Sequence, residues 1–164
     1  MSEAKKQHET SPGIKRILIV DDHPVVRQGL AQFINLEPDL DVCAEAGNVK
    51  EALEAVEKQK FDLAVVDMLL ENTTGIQVTE KIRLRIPNLP VLIFSMSDEL
   101  HYVKRALGAG ARGYITKDEI SDNIINAIKQ VLAGKTYLGT KVTQKLSKSE
   151  LDNLLQADTG DCSG

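Results

Sequence analysis

The chain has 164 residues, 42% of them apolar and only 4% aromatic, with no Trp, so one core filled by aliphatic side chains is the default expectation. Lys and Arg total 20 against 24 Asp and Glu, a net charge of -4, which excludes broad electrostatic binding to nucleic acid or an anionic membrane but not a local basic patch. Cys43 and Cys162 fit no metal or redox spacing, Met1 to Gly13 lacks the apolar stretch of a signal peptide, and no apolar run approaches the ~20 residues of a membrane span. A soluble domain of the reducing cytoplasm is expected.

Residues 1–13 mix Lys, Glu, Gln, Ser and Thr ahead of Pro12-Gly13 and read as a flexible arm. Ordered sequence is expected from Ile14. Ile17-Leu18-Ile19-Val20 is a buried-strand signal, and Val25 to Leu36 then carries Val26, Leu30, Phe33 and Ile34 at helical spacing. Val42 to Ala46 is a weaker strand, with Cys43 expected as a small buried apolar residue. Asn48 can cap a helix holding Ala52, Leu53 and Val56. Leu63 to Val66 is another continuous apolar strand, and a helix over 75–86 follows. Val91 to Phe94, a helix from about Asp98 to Leu107, a strand over 110–116 and a helix opened by Ser121 complete five βα units. Continuous rather than alternating apolar strands are covered on both faces, which predicts an α/β fold with a doubly wound parallel sheet. The 26 residues beyond Leu138 are polar, and Ser147-Lys148-Ser149-Glu150 fits a capping box for one short helix.

Crossover handedness places all the strand C-terminal ends on one edge of such a sheet, where sites form. The first strand ends in Asp21-Asp22, the next fully apolar one in Asp67, and the following one in Ser95, while the last runs into Lys117. Taken singly, each has an ordinary reading: an Asp closing a strand makes a turn or caps a helix, Ser95 caps, and Lys117 is a solvated charge. His23 reads as a loop residue, since no second histidine stands at ligand spacing. Together the set is different. Three close carboxylates raise a pKa or bind a cation, and a hard divalent ion such as Mg²⁺ suits their oxygens. One carboxylate can then attack a phosphoryl group, with a lysine and a hydroxyl on the transferred oxygens.

The segments ILIVDDHPVVRQGL, FDLAVVDMLLENTTG, VLIFSMSDE and GARGYITKD, followed by AGKTYL, resemble the receiver domain of bacterial two-component response regulators, most of all the nitrate-response class. The resemblance covers roughly residues 14–138. It implies a flavodoxin-like fold of five parallel strands in order 2-1-3-4-5 with five helices. It makes Asp67 the phosphoacceptor, and Asp21, Asp22, Asp67 and the backbone carbonyl of Leu69 the protein ligands of Mg²⁺. Ser95 matches the switch hydroxyl, Tyr114 the switch aromatic and Lys117 the phosphate-pairing lysine. The implied protein is a signalling phosphoacceptor rather than an enzyme with an outside substrate, and it catalyses only its own phosphorylation and dephosphorylation. Its expected partners are a histidine kinase or histidine phosphotransfer protein and an output protein. The 98–133 face is a candidate homodimer surface.

Two departures from the family pattern stand out. Glu71 takes the place of the usual Pro four residues after the phosphoacceptor. A helix-turn-helix domain of about 60 residues, which the class usually carries, does not fit into residues 139–164. LSKSELDNLLQ weakly resembles the opening of that domain, yet the tail has three lysines against four acids, so direct DNA binding is not expected. The leading expectation is therefore a receiver unit over 14–138 with a polar tail. The alternatives are a transcriptional regulator whose DNA-binding part is absent from the chain, and a docking module that keeps the fold without the chemistry.

Overall fold

The structure is a computed structural model that describes residues 13–160, with side chains described as far as Leu155. The expected arm is outside the described residues apart from Gly13, as is Cys162. In chain order the elements are β1 (Lys15–Val20), α1 (Pro24–Ile34), β2 (Leu40–Ala46), α2 (Val49–Lys58), β3 (Leu63–Asp67), α3 (Gly75–Arg85) and β4 (Val91–Ser95). Then come α4 (Leu100–Gly108), β5 (Gly113–Thr116), a 3₁₀ turn (Lys117–Glu119), α5 (Ile120–Leu132), β6 (Tyr137–Leu138), α6 (Thr140–Lys145) and α7 (Lys148–Gly160). All pairings between the described strands are parallel and the order is 2-1-3-4-5-6.

The unbroken apolar strands have a direct cause. Ile17 and Ile19 of β1 join one core layer with Leu30 and Ile34 of α1 and Ile124 and Ile128 of α5. Leu18 and Val20 join the opposite layer with Ala52 and Val56 of α2, Ile82 of α3 and Val103 of α4. Period-two alternation thus serves two cores, and each buried Leu, Ile or Val contributes ~1.5–3 kcal/mol. Helix starts follow the expected chemistry. Asn48 Oδ1 accepts from the Glu51 N–H at 2.8 Å, and Pro24 occupies the first turn of α1, whose capping position is His23.

The fold is the expected doubly wound parallel arrangement, extended by a sixth strand and by two helices after it. Strand β6 extends the sheet beyond β5, with Tyr114 opposite Leu138. Two residues are too short to show a period, and their pairing depends on a partner 24 positions away. Helix α6 follows it without a sequence signal, and α7 is the helix that the Ser147–Glu150 capping box predicts. The Ser147–Glu150 capping box forms at α7: the Ser147 N–H donates to Glu150 Oε1 (3.0 Å), and the Glu150 N–H donates to Ser147 Oγ (3.1 Å). Smaller differences lie at element ends, with α4 starting at Leu100 and β5 at Gly113. Cys43 is half-buried rather than buried, its Sγ 3.4 Å from the Asp41 carbonyl oxygen.

Candidate functional site

The strand order places Asp21, Asp67, Ser95 and Lys117 at the C-terminal ends of the four central strands. Asp21 follows β1 and is fully buried, while Asp22 is partly exposed. Asp67 closes β3 with only 1% exposure, and Ser95 closes β4. Ligand atoms from Asp21, Asp22, His23 and Asp67 all lie within 4.8 Å of one another. Lys117 Nζ reaches over the Phe94 ring, 5.3 Å from its centroid, to Asp67 Oδ2 at 3.1 Å. The Leu69 N–H donates to the other Asp67 oxygen, Oδ1, at 3.2 Å. Burial pushes the Asp67 carboxyl above the ordinary carboxylate value; the Lys117 ammonium pulls it back down, and the Asp21 charge adds to the rise.

The donor set fits a divalent cation. Asp21 Oδ2 is buried without a hydrogen-bond partner, and Asp22 Oδ1 has none either, although it faces His23 Nδ1 at 2.9 Å. An unmet buried acceptor costs ~1–3 kcal/mol, more when charged, and an oxygen-seeking ion removes that cost. His23 closes one side of the cluster: its N–H and Nδ1 lie 2.8 and 3.0 Å from Asp21 Oδ1. The Asp21 hydrogen bond and the two aspartate charges raise the imidazole pKa.

The other expected residues surround this cluster. Ser95 Oγ accepts from the Ser97 N–H at 3.0 Å. Tyr114 is fully buried, and its hydroxyl donates to the Ser97 carbonyl at 2.7 Å. Glu71 and the Leu69 side chain are exposed.

Sequence patterns did not point to three residues that hold the site. Arg27 of α1 donates to the Asp21 carbonyl at 2.6 Å and pairs with Glu45, so it fixes the backbone that carries the acidic pair. Gly75 begins α3 against the Asp67 backbone: a Cβ there would lie 2.5 Å from the Asp67 carbonyl oxygen. Glu119, in the same 3₁₀ turn as Lys117, is buried and accepts from the N–H groups of Thr140 and Lys141, both at 2.9 Å.

A parallel sheet with a buried carboxylate paired to a lysine, and with unpartnered oxygens of two further aspartates beside it at the C-terminal edge, defines a receiver-type domain. The chain belongs to the response regulator receiver domain family, whose model matches residues 17–129. It is 35% identical over 133 residues to the transcriptional regulatory protein DegU of Brevibacillus brevis, covering 81% of this chain and 56% of that protein. It is 33% identical to the nitrate/nitrite response regulator protein NarL of Escherichia coli, covering 81% of this chain and 62% of that one. The chain thus spans little more than half the length of these relatives. A two-component response regulator of the LuxR family from Aurantimonas superposes with a TM-score of 0.80 at 33% identity, covering 84% of this chain and 99% of that chain. The receiver domain of the putative response regulator NarL from Mycobacterium tuberculosis gives 0.71 at 31% identity, covering 76% and 100%. No helix among the described residues is long and apolar enough to cross a membrane.

Proposed function

We propose that the chain is the phosphoacceptor receiver of a two-component phosphorelay and takes a phosphoryl group from a phosphohistidine onto Asp67. The observation that carries this reading is the buried Asp67 carboxylate, 3.1 Å from Lys117 Nζ and beside the unpaired Asp21 Oδ2. An Asp67 carboxylate oxygen attacks phosphorus, and the phosphorus–nitrogen bond to the donor imidazole breaks. The bond's electron pair stays on that nitrogen, and the donor imidazole, protonated on its other ring nitrogen, leaves as a neutral ring. Lys117 and the Ser95 hydroxyl are the groups for the phosphoryl oxygens, since both stand at the same edge as Asp67. Asp21, Asp22, Asp67 and the Leu69 carbonyl would hold Mg²⁺, which supplies neutralisation of charge on those oxygens. Exposed Val25, Leu69 and Met96 rim the edge with apolar surface suited to a docked histidine kinase or phosphotransfer protein.

Phosphorylation adds negative charge at Asp67, and Ser95 and Tyr114 are the side chains proposed to transmit it to an output partner. With acetyl phosphate and Mg²⁺, wild type should gain one phosphoryl mass and Asp67→Ala none. Equal labelling of both would sink the assignment.

A second reading, a transcriptional regulator with a helix-turn-helix output, draws on the regulators named above and on the capped helix formed by the LSKSELDNLLQ segment. An in-frame helix-turn-helix in the genomic sequence after Gly164 would favour it; its absence would favour a receiver acting through protein partners.

A further inference from the structure

Two loops carry the site's switching groups, and both are fastened to the same C-terminal segment. Ser95 ends β4, and the β4–α4 loop after it holds Ser97 and Asp98. Lys145 at the end of α6 donates from Nζ to Asp98 Oδ1 at 2.8 Å. The 3₁₀ turn holds Lys117 and Glu119, and both Glu119 oxygens accept from the first N–H groups of α6. Asp118 of that turn pairs with Lys141. At Gly139 a Cβ would stand 2.9 Å from Glu119 Oε1, so the glycine leaves room for the carboxylate beside the chain.

Tyr114 joins the two sides. Its hydroxyl holds the Ser97 carbonyl, while its backbone carbonyl accepts from the Gly139 N–H at 2.9 Å. Apolar contact completes the seat. Val142 is fully buried, Leu138 nearly so, and Leu146, Leu151 and Leu154 pack against the same core layer as Val103 and Ala106 of α4. Lys104 of α4 lies 3.7 Å from Glu150 of α7.

We propose that residues 139–154 form a clasp that covers the α4–β5 side of the 98–133 face and loosens when Asp67 is phosphorylated. This rests on the phosphoacceptor reading above. Turning Ser95 Oγ toward a phosphoryl group on Asp67 takes its acceptor away from the Ser97 N–H. That frees the stretch whose neighbour, Asp98, anchors Lys145. Lys117 now reaches Asp67 Oδ2, and its shift to a phosphoryl oxygen pulls on the one-turn helix that carries Glu119. Both anchors of the clasp are therefore strained by one event at the sheet edge. The face offered for a second copy or an output partner is occupied by the chain itself until then.

Hydrogen-exchange mass spectrometry on the full chain, read beside its intact mass, tests this. Amides in 139–154 should exchange about tenfold faster once the protein carries a phosphoryl group from acetyl phosphate and Mg²⁺. Asp67→Ala treated in the same way should not change. Lys145→Ala and Glu119→Gln should each speed exchange of 139–154 without any donor, while β1 and β3 peptides keep wild-type protection and so report an intact core. A wild type that gains the phosphoryl mass with unchanged exchange of 139–154 overturns the clasp. A wild type that gains no phosphoryl mass overturns the phosphoacceptor reading instead. Unchanged exchange in both donor-free variants overturns the two anchors independently of phosphorylation.

Discussion

Replacing Gly75 by Ala sets two effects of opposite sign against each other. In an unstrained helix position the change stabilises by about 0.5–1 kcal/mol, because Ala has less chain entropy to lose. At Gly75 the added Cβ would stand 2.5 Å from the Asp67 carbonyl oxygen, 3.0 Å from Met68 Cα and 3.1 Å from the Asp67 carbonyl carbon. All three are backbone atoms of the strand end that carries Asp67, and the Gly75 N–H is itself bonded to the Met68 carbonyl at 2.6 Å. No flexible side chain is available to yield. Crowding of this kind costs about 1–3 kcal/mol, so a net loss of about 1–2 kcal/mol is expected. Gly29 in α1 is the control, because a Cβ there meets nothing within 4 Å. Gly29→Ala should stabilise by about 0.5–1 kcal/mol. Urea unfolding with a common slope reads both: the midpoint should fall for Gly75→Ala and rise for Gly29→Ala. Labelling by acetyl phosphate should also slow in Gly75→Ala alone, since α3 and Asp67 must move apart. A Gly75→Ala protein as stable as Gly29→Ala, and labelled at the wild-type rate, would show that a Cβ at position 75 does not crowd the Asp67 backbone.

Other outcomes follow from the same site. In metal-free buffer, millimolar Mg²⁺ should raise the melting temperature of wild type and leave Asp21→Ala unmoved, because only the former offers the buried Oδ2; an equal rise in both would remove Asp21 from the ligand set. Asp67 has a folded pKa above its ordinary 3.8, so without metal its contribution favours the fold at acid pH and is lost as pH rises through the folded value. Asp67→Asn should therefore gain stability relative to wild type as pH rises from about 4 toward neutrality, as thermal unfolding across pH would show. Burial pushes the Cys43 thiol up to about 11. In a Cys162→Ser background, iodoacetamide at pH 8 should modify Cys43 more slowly than it modifies a free cysteine.

The sequence carries the parts of this molecule that depend on local pattern. Ile17 to Val20, Leu63 to Val66 and Val91 to Phe94 are legible because each residue is buried, whichever face it points to. Asp21, Asp67, Ser95 and Lys117 are legible because chemistry in a parallel sheet follows strand ends, and they needed no tertiary information beyond that rule. What was not legible is held by distant partners. Strand β6 exists through its pairing with Gly113 and Tyr114, and α6 starts where Glu119, about twenty residues earlier, receives its first N–H groups. A polar stretch such as Thr140 to Lys145 shows no period that would reveal one buried valine, Val142. Arg27 looks like any helix-surface arginine until the Asp21 carbonyl is found 2.6 Å from its guanidinium.

In the proposed function Asp67 receives a phosphoryl group from a phosphohistidine. Incubation of the chain with phosphorylated histidine kinases of the host, followed by peptide mapping, tests it most directly. The label should leave the histidine of at least one kinase and appear on the peptide containing Asp67, and Asp67→Ala should leave that kinase phosphorylated. Transfer to another residue, or equal loss of kinase label with wild type and Asp67→Ala, would contradict it.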